Sequence, residues 1–179
     1  MSNYVTDMTK KPIEMVLGLL NNDNNLGLVE ADVELKGLTV VETPEGKIFN
    51  TSIDIDLLTM PSEVVGDFVT FFYKRVDLTE LFGDISANFR EVDVPLNENG
   101  LPVDNAVFYA EALRKFGVAM TDEDFEITKK ANGVLTVTAK ATNIAYLNSF
   151  DIAVIDSLAS RVAITQLVGF EAPTPAPVA

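Results

Sequence analysis

The sequence predicts an α+β fold, rich in β-strand, in which two similar halves, each a helix followed by an antiparallel sheet, pack as one compact body with extended termini. The first sign is a change of period that occurs twice. A segment with apolar residues at helical spacing gives way, through a polar turn, to segments in which apolar and polar residues alternate. The second sign is a likeness between the two places where the change occurs. Residues 25–35 (NLGLVEADVEL) and 117–127 (GVAMTDEDFEI) align without a gap, with Asp32 on Asp124, Glu34 on Glu126, Leu28 on Met120, Val33 on Phe125 and Leu35 on Ile127, all 92 positions apart (124 less 32). An internal duplication of this kind governs the reading of everything around it. The chain then divides into an N-terminal arm (1–11), a first half (12–83), a connector (84–104), a second half (105–170) and a Pro-rich tail (171–179).

In the first half, Ile13, Val16, Leu17 and Leu20 share one face of a helix over residues 12–20, with Pro12 in the first turn, where its missing N–H costs nothing. The run Asn21-Asn22-Asp23-Asn24-Asn25 ends it, because Asn and Asp side chains compete for backbone hydrogen bonds and tolerate left-handed geometry. This run has neither the Gly nor the terminal Glu of a calcium loop and is read as a helix terminator. Val33, Leu35, Leu38 and Val40, then Ile53, Ile55 and Leu57, form a hairpin across the turn residues Thr43-Pro44-Glu45-Gly46. Asp54 and Asp56 sit together on its wet face; two carboxylates so placed could serve acid–base chemistry, but no apolar neighbour in sequence raises a pKa, so they are solvated charges. Residues 60–67 read as a loop or a short helical turn. Residues 68–78 (FVTFFYKRVDL) are the most aromatic run of the chain and predict a central strand, a better reading than a single-stranded nucleic-acid platform at this acidity. Thr79-Glu80-Leu81-Phe82-Gly83 is a short capped turn that closes the half.

In the connector, Pro95, Asn97, Asn99, Gly100 and Pro102 are turn chemistry, and Val92, Val94 and Leu96 offer one extended edge segment. A helix then starts at a cap on Asp104 or Asn105, runs through Ala106, Tyr109, Ala110, Leu113 and Phe116, and stops at Gly117. Ala106, Tyr109, Ala110 and Leu113 repeat Ile13, Val16, Leu17 and Leu20 at a separation of 93 (106 less 13), which implies one extra loop residue in the first copy. Thr121-Asp122-Glu123-Asp124 is a capped, solvated turn. Residues 125–128 and 134–141 are strands joined by the hairpin signal Asn132-Gly133, and Phe150, Ile152, Val154 and Ile155 give a strand that answers residues 68–76. Residues 160–170 (SRVAITQLVGF) read as a last strand, and the tail 171–179 as an extended Pro/Ala strip.

Composition excludes whole classes of chemistry. The 179 residues contain no cysteine and no histidine, which removes disulfides, thiol catalysis, structural zinc sites and every imidazole relay. A net charge of −14 repels phosphate backbones and anionic membranes, so neither nucleic acid nor membrane is an expected partner. Glu14 interrupts the apolar run after Lys10-Lys11, so no secretion signal is expected there, and no apolar stretch reaches the roughly 20 residues that span a bilayer. The chain is expected to be made in the cytoplasm. No catalytic constellation emerges, and no cofactor or metal is expected.

One family shares the order of these pieces. In the second half it is carried by the helix ending Phe116-Gly117, by Met120-Thr121-Asp122-Glu123-Asp124-Phe125, by Leu135-Thr136-Val137-Thr138-Ala139-Lys140 and by Ala145-Tyr146-Leu147-Asn148-Ser149. In the first half it is carried by Asn50-Thr51 and by residues 71–78 (FFYKRVDL). Over most of residues 12–156 the chain resembles small structural domains of tailed-bacteriophage virion proteins of unassigned role. The resemblance implies a non-enzymatic structural subunit in head, neck or tail, present in many copies, partnered by other virion proteins and located in the virion. It supplies no catalytic residues. The two termini are expected to wrap neighbouring subunits. The alternative is a module that binds a ligand or host surface on a sheet face; a hydrolase using paired carboxylates, which needs no histidine, stands third.

Overall fold

A computed structural model describes residues 6–42, 45, 48–58, 68–83, 90–131 and 133–158. The fold is α+β, with nine strands in three sheets and three helices among the described residues. Helix α1 (Pro12–Asn24) is followed by a 3-10 turn (Glu30–Asp32) and an antiparallel meander of β1 (Val33–Val40), β2 (Thr51–Leu57) and β3 (Phe68–Tyr73). A two-residue strand β4 (Val76–Asp77) and the short α2 (Leu78–Phe82) lead to β5 (Glu91–Val94). Helix α3 (Asn105–Phe116) then precedes β6 (Phe125–Ala131), β7 (Val134–Ala139), the two-residue β8 (Tyr146–Leu147) and β9 (Ser149–Asp156). Strands β6, β7 and β9 form a second antiparallel meander, extended by β5, which lies parallel to β9. Strands β4 and β8 pair in parallel between the two meanders.

The halves correspond residue by residue. Asn25 at φ 54° and Gly117 at φ 70° cap α1 and α3 in the left-handed region, each cap N–H donating to the carbonyl four residues back, Asn21 or Leu113. Asp32 accepts the Val29 N–H on its side chain at 2.9 Å, and Asp124 accepts the Thr121 hydroxyl at 2.8 Å, in turns closed by backbone bonds from Asp32 to Val29 and from Asp124 to Thr121. The Asp32 carbonyl accepts the N–H of Leu58, just past β2, at 2.8 Å; the Asp124 carbonyl accepts that of Lys140, just past β7, at 2.9 Å. Register agrees too: Val33 faces Leu57 as Phe125 faces Ala139, and Leu35 faces Ile55 as Ile127 faces Val137.

The helical phase corrects the sequence reading. Helix α3 buries Phe108, Tyr109 and Ala112, while Ala106, Ala110 and Leu113 face outward. The α1 counterparts are Val16, Leu17 and Leu20, again 92 positions away (108 less 16), so no extra loop residue separates the copies. Aromatic area decides the phase: burying Phe108 removes more apolar surface than burying Leu113 on the neighbouring strip.

Four further differences bear on function. Helix α1 runs through the Asn run to Asn24 rather than stopping at residue 20, and Asn21 bonds both the carbonyl and the N–H of Leu28, which folds the following loop back. Residues 68–78 are not one central strand: β2 is central, β3 is an edge, and the run breaks at Lys74-Arg75 because Arg75 turns inward. The arm is tied down at Met8, whose carbonyl accepts the N–H of Ala119 at 2.8 Å and which packs on the second core. Val92 and Val94 of the connector are fully buried in that same core, so β5 belongs to the second half. The expectations for residues 60–67, for the turn residues Thr43, Pro44 and Gly46, for the strand at 160–170 and for the tail lie outside the described residues.

Each meander has its own core. Val16, Leu17, Leu20, Leu28, Ile53, Ile55 and Tyr73 belong to the first; Phe108, Phe125, Leu135, Val137, Tyr146, Phe150 and Ile152 belong to the second.

Candidate functional site

The sequence singled out four places, and the structure brings three of them together: Thr70 of the aromatic run bonds Asp54, and Asp23 and Asn24 of the Asn run line one cavity with Val69 and Phe71. Asp54 and Asp56 lie on the face of β2 opposite its buried Ile53, Ile55 and Leu57. Asp54 accepts the Thr70 hydroxyl at 2.8 Å, and Asp56 stands 3.5 Å from the Lys36 ammonium. Each thus has a cross-strand partner among the described residues. In the Asn run, Asn24 donates to the Leu20 carbonyl and Asn21 is saturated by Leu28, so these amides serve the helix end. Asp122 accepts from Asn105 at 2.7 Å and from the Tyr109 hydroxyl at 3.0 Å, tying the acidic turn to α3; burial first, and then Asp122, push the Tyr109 phenol well above its ordinary pKa.

The fourth place, the aromatic run, contributes to two features that sequence reasoning did not separate. One is a buried polar seam between the halves. Arg75 is 3% exposed; its Nε donates to the Thr51 hydroxyl and its Nη1 to the Asn143 carbonyl, both at 2.8 Å. Burial lowers its guanidinium pKa, and no carboxylate among the described residues pairs with it. The Tyr73 hydroxyl crosses the same seam to the Ile144 carbonyl at 2.6 Å, its pKa raised by burial. Asn143, fully buried, closes the seam by donating to the Asp124 carbonyl and accepting the N–H groups of Ala145 and Tyr146. The signal in the sequence was the Lys74-Arg75 pair inside an otherwise apolar strand.

The other feature is the outer edge of β3. Sheet edges display unpaired backbone groups, and proteins guard them with charge, bulges or brevity. Strand β1 has a bulge between Leu35 and Leu38, and its Lys36 reaches Glu34 and Asp56. Strand β6 has a register shift beyond Lys129 and carries Lys129 and Lys130, and β5 is four residues long with Glu91 and Asp93 facing out. Strand β3 (FVTFFY) has no charge, no proline and six residues, and among the described residues it pairs with β2 alone. Beside it opens a cavity of 620 Å3, lined in part by Leu26, Leu28, Val69 and Phe71. Phe72 at its rim is 51% exposed and leans on Phe49, ring centroids 5.2 Å apart.

A smaller polar cavity of 330 Å3 adjoins Arg90, which is 6% exposed, donates through Nη1 to the Phe82 carbonyl and lies over the Phe82 and Phe150 rings. Its Nε is buried without a partner, and burial lowers its pKa while Asp151 partly offsets that. Here the guanidinium closes the C-terminal end of α2.

Among the described residues no helix is long and apolar enough to cross a membrane. Residues 6–178 match the sequence model of a protein family described as a family of unknown function (DUF7941). No curated protein and no solved structure matches the chain.

Proposed function

The chain belongs to that family of unknown function, and we propose that it is a non-enzymatic structural subunit of a tailed-bacteriophage virion, assembled in many copies through protein–protein contacts. The observation that carries this reading is the unguarded β3 edge beside an apolar cavity. An edge of this kind adds a strand from a partner through main-chain hydrogen bonds, and pockets beside it select the partner's side chains. The excess of acidic residues supports protein-facing contacts over contacts with packaged DNA. The resemblance in the order of elements to small virion domains supports the setting. Quantitative mass spectrometry of purified particles tests it: the chain is expected at a fixed, multi-copy ratio to the major head or tail protein. Recovery only in the soluble host fraction would overturn the reading.

Exposed Phe72, with Phe49 beside it, favours one alternative, a sheet-face module for a carbohydrate or host-surface ligand. On that alternative Phe72→Ala abolishes binding to a glycan array, whereas a structural subunit gives no array signal in either form.

A further inference from the structure

The second half covers what the first half leaves open. Against β9, Phe82 of α2 stacks on Phe150 with centroids 4.4 Å apart, Phe116 meets Phe82 edge-on at 6.5 Å, and β5 adds a parallel strand with Val92 and Val94 inside. Strand register places Val69 and Phe71 where the second half has Phe150 and Ile152: Ile55 pairs with Val69 as Val137 pairs with Phe150, and Ile53 with Phe71 as Leu135 with Ile152. The 92-residue correspondence places Asn24 where Phe116 stands and Leu26 where Val118 is buried. These four first-half residues line the 620 Å3 cavity. The cavity is thus the first-half counterpart of the space that α2 and the start of β5 fill in the second.

The filling of the second half comes from a particular place in the chain. The stretch after the first meander, β4–α2–β5, packs on the sheet that follows it, not on the sheet it leaves. The stretch after the second meander begins in the same way. Asp77 at the end of β4 accepts the N–H groups of Thr79 and Glu80 and starts α2; Asp156 at the end of β9 accepts the N–H of Leu158 at 3.0 Å, and Ser157 and Leu158 are helical. Beyond them comes Arg161-Val162-Ala163-Ile164, which repeats the alternating β-branched spacing of Glu91-Val92-Asp93-Val94. The rim also carries charge for such a contact: Asp23 occupies the position of Lys115, whose ammonium reaches the Glu91 backbone carbonyl at 2.5 Å, and the sequence after β9 supplies Arg161.

We propose that the segment following β9 of one copy, centred on residues 161–164, docks in the first-half cavity and along the β3 edge of a second copy, repeating between molecules the contact that α2 and β5 make within one. Donor and acceptor are different surfaces, so the contact either is exchanged reciprocally within a two-fold dimer or propagates head-to-tail into rings or filaments. The inference deepens the assembly reading by naming the partner as another copy of this chain.

Sedimentation of the chain and of donor and acceptor variants tests it. The parent chain is expected to self-associate in a concentration-dependent way. Val162→Asp with Ile164→Asp removes the donor, Asn24→Trp fills the acceptor, and each is expected to weaken association about tenfold or more. Mixed, the two variants are expected to form a one-to-one complex that grows no further, since each retains the half that the other lost. Asp23→Lys is expected to weaken association and Arg161→Glu to restore it. A parent chain that stays monomeric up to about 0.1 mM, or variants that associate as it does, would overturn the contact. A monomeric chain that is still recovered in particles overturns this contact alone; a self-associating chain absent from particles overturns the particle reading alone.

Discussion

Arg75 joins the two halves. Its guanidinium is buried, has no counter-ion among the described residues, and is held by the Thr51 hydroxyl on β2 and the Asn143 carbonyl beside β8. Arg75→Met keeps much of the volume but leaves two buried acceptors without their charged donor, at about 3 kcal/mol. Urea unfolding should show that loss in midpoint. Asp151 acts at the surface and is pH-dependent. Burial raises its pKa, but the Lys130 ammonium at 2.5 Å and the Thr136 hydroxyl at 2.8 Å outweigh burial and hold it below the ordinary value. A carboxyl depressed in the folded state adds stability that is present above its unfolded pKa and lost as pH falls through the folded one. Asp151→Asn should therefore be less stable than the parent near neutrality, and the gap should close below about pH 4 in denaturant midpoints taken across the range.

Helices α1 and α3 show what pattern alone conveys and what it does not. Gly117 as stop, Asp104 as cap and the hairpin that turns at Gly133 follow from local chemistry and appear at the expected places. The register shift between Leu35 and Leu38, a bulge in β1, was not anticipated. The face of α3 was misread by one residue, because Ala106-Tyr109-Ala110-Leu113 and Val107-Phe108-Ala112 are both apolar strips and only the sheet beneath chooses between them. Phe108→Ala should cost about 3–5 kcal/mol and Leu113→Ala under about 1 kcal/mol by chemical denaturation. The reverse order would restore the face read from periodicity. The break in the aromatic run was hidden for a related reason: Arg75 leaves the strand for partners in Thr51 and Asn143, the latter 68 residues away. Pairing of β5 with β9 is a non-local, parallel choice that no pattern within residues 91–94 encodes.

Taken whole, the molecule is a tandem of two like units in which the sheet of the second is covered by the linker from the first, while among the described residues the sheet of the first keeps an open edge. Among the described residues the β3 edge carries no charge, bulge or proline, the kind of edge to which a partner strand adds. The candidate surface was only half visible beforehand, since the aromatic run was evident but was placed at the centre of a sheet. Electron-microscopic reconstruction of intact particles tests the central claim most directly. The structural-subunit account predicts density fitting the two-unit body at a symmetry-related, repeated position, with its β3 edge against protein. Particles lacking such density, with the chain recovered only from the soluble fraction of the host, would contradict it.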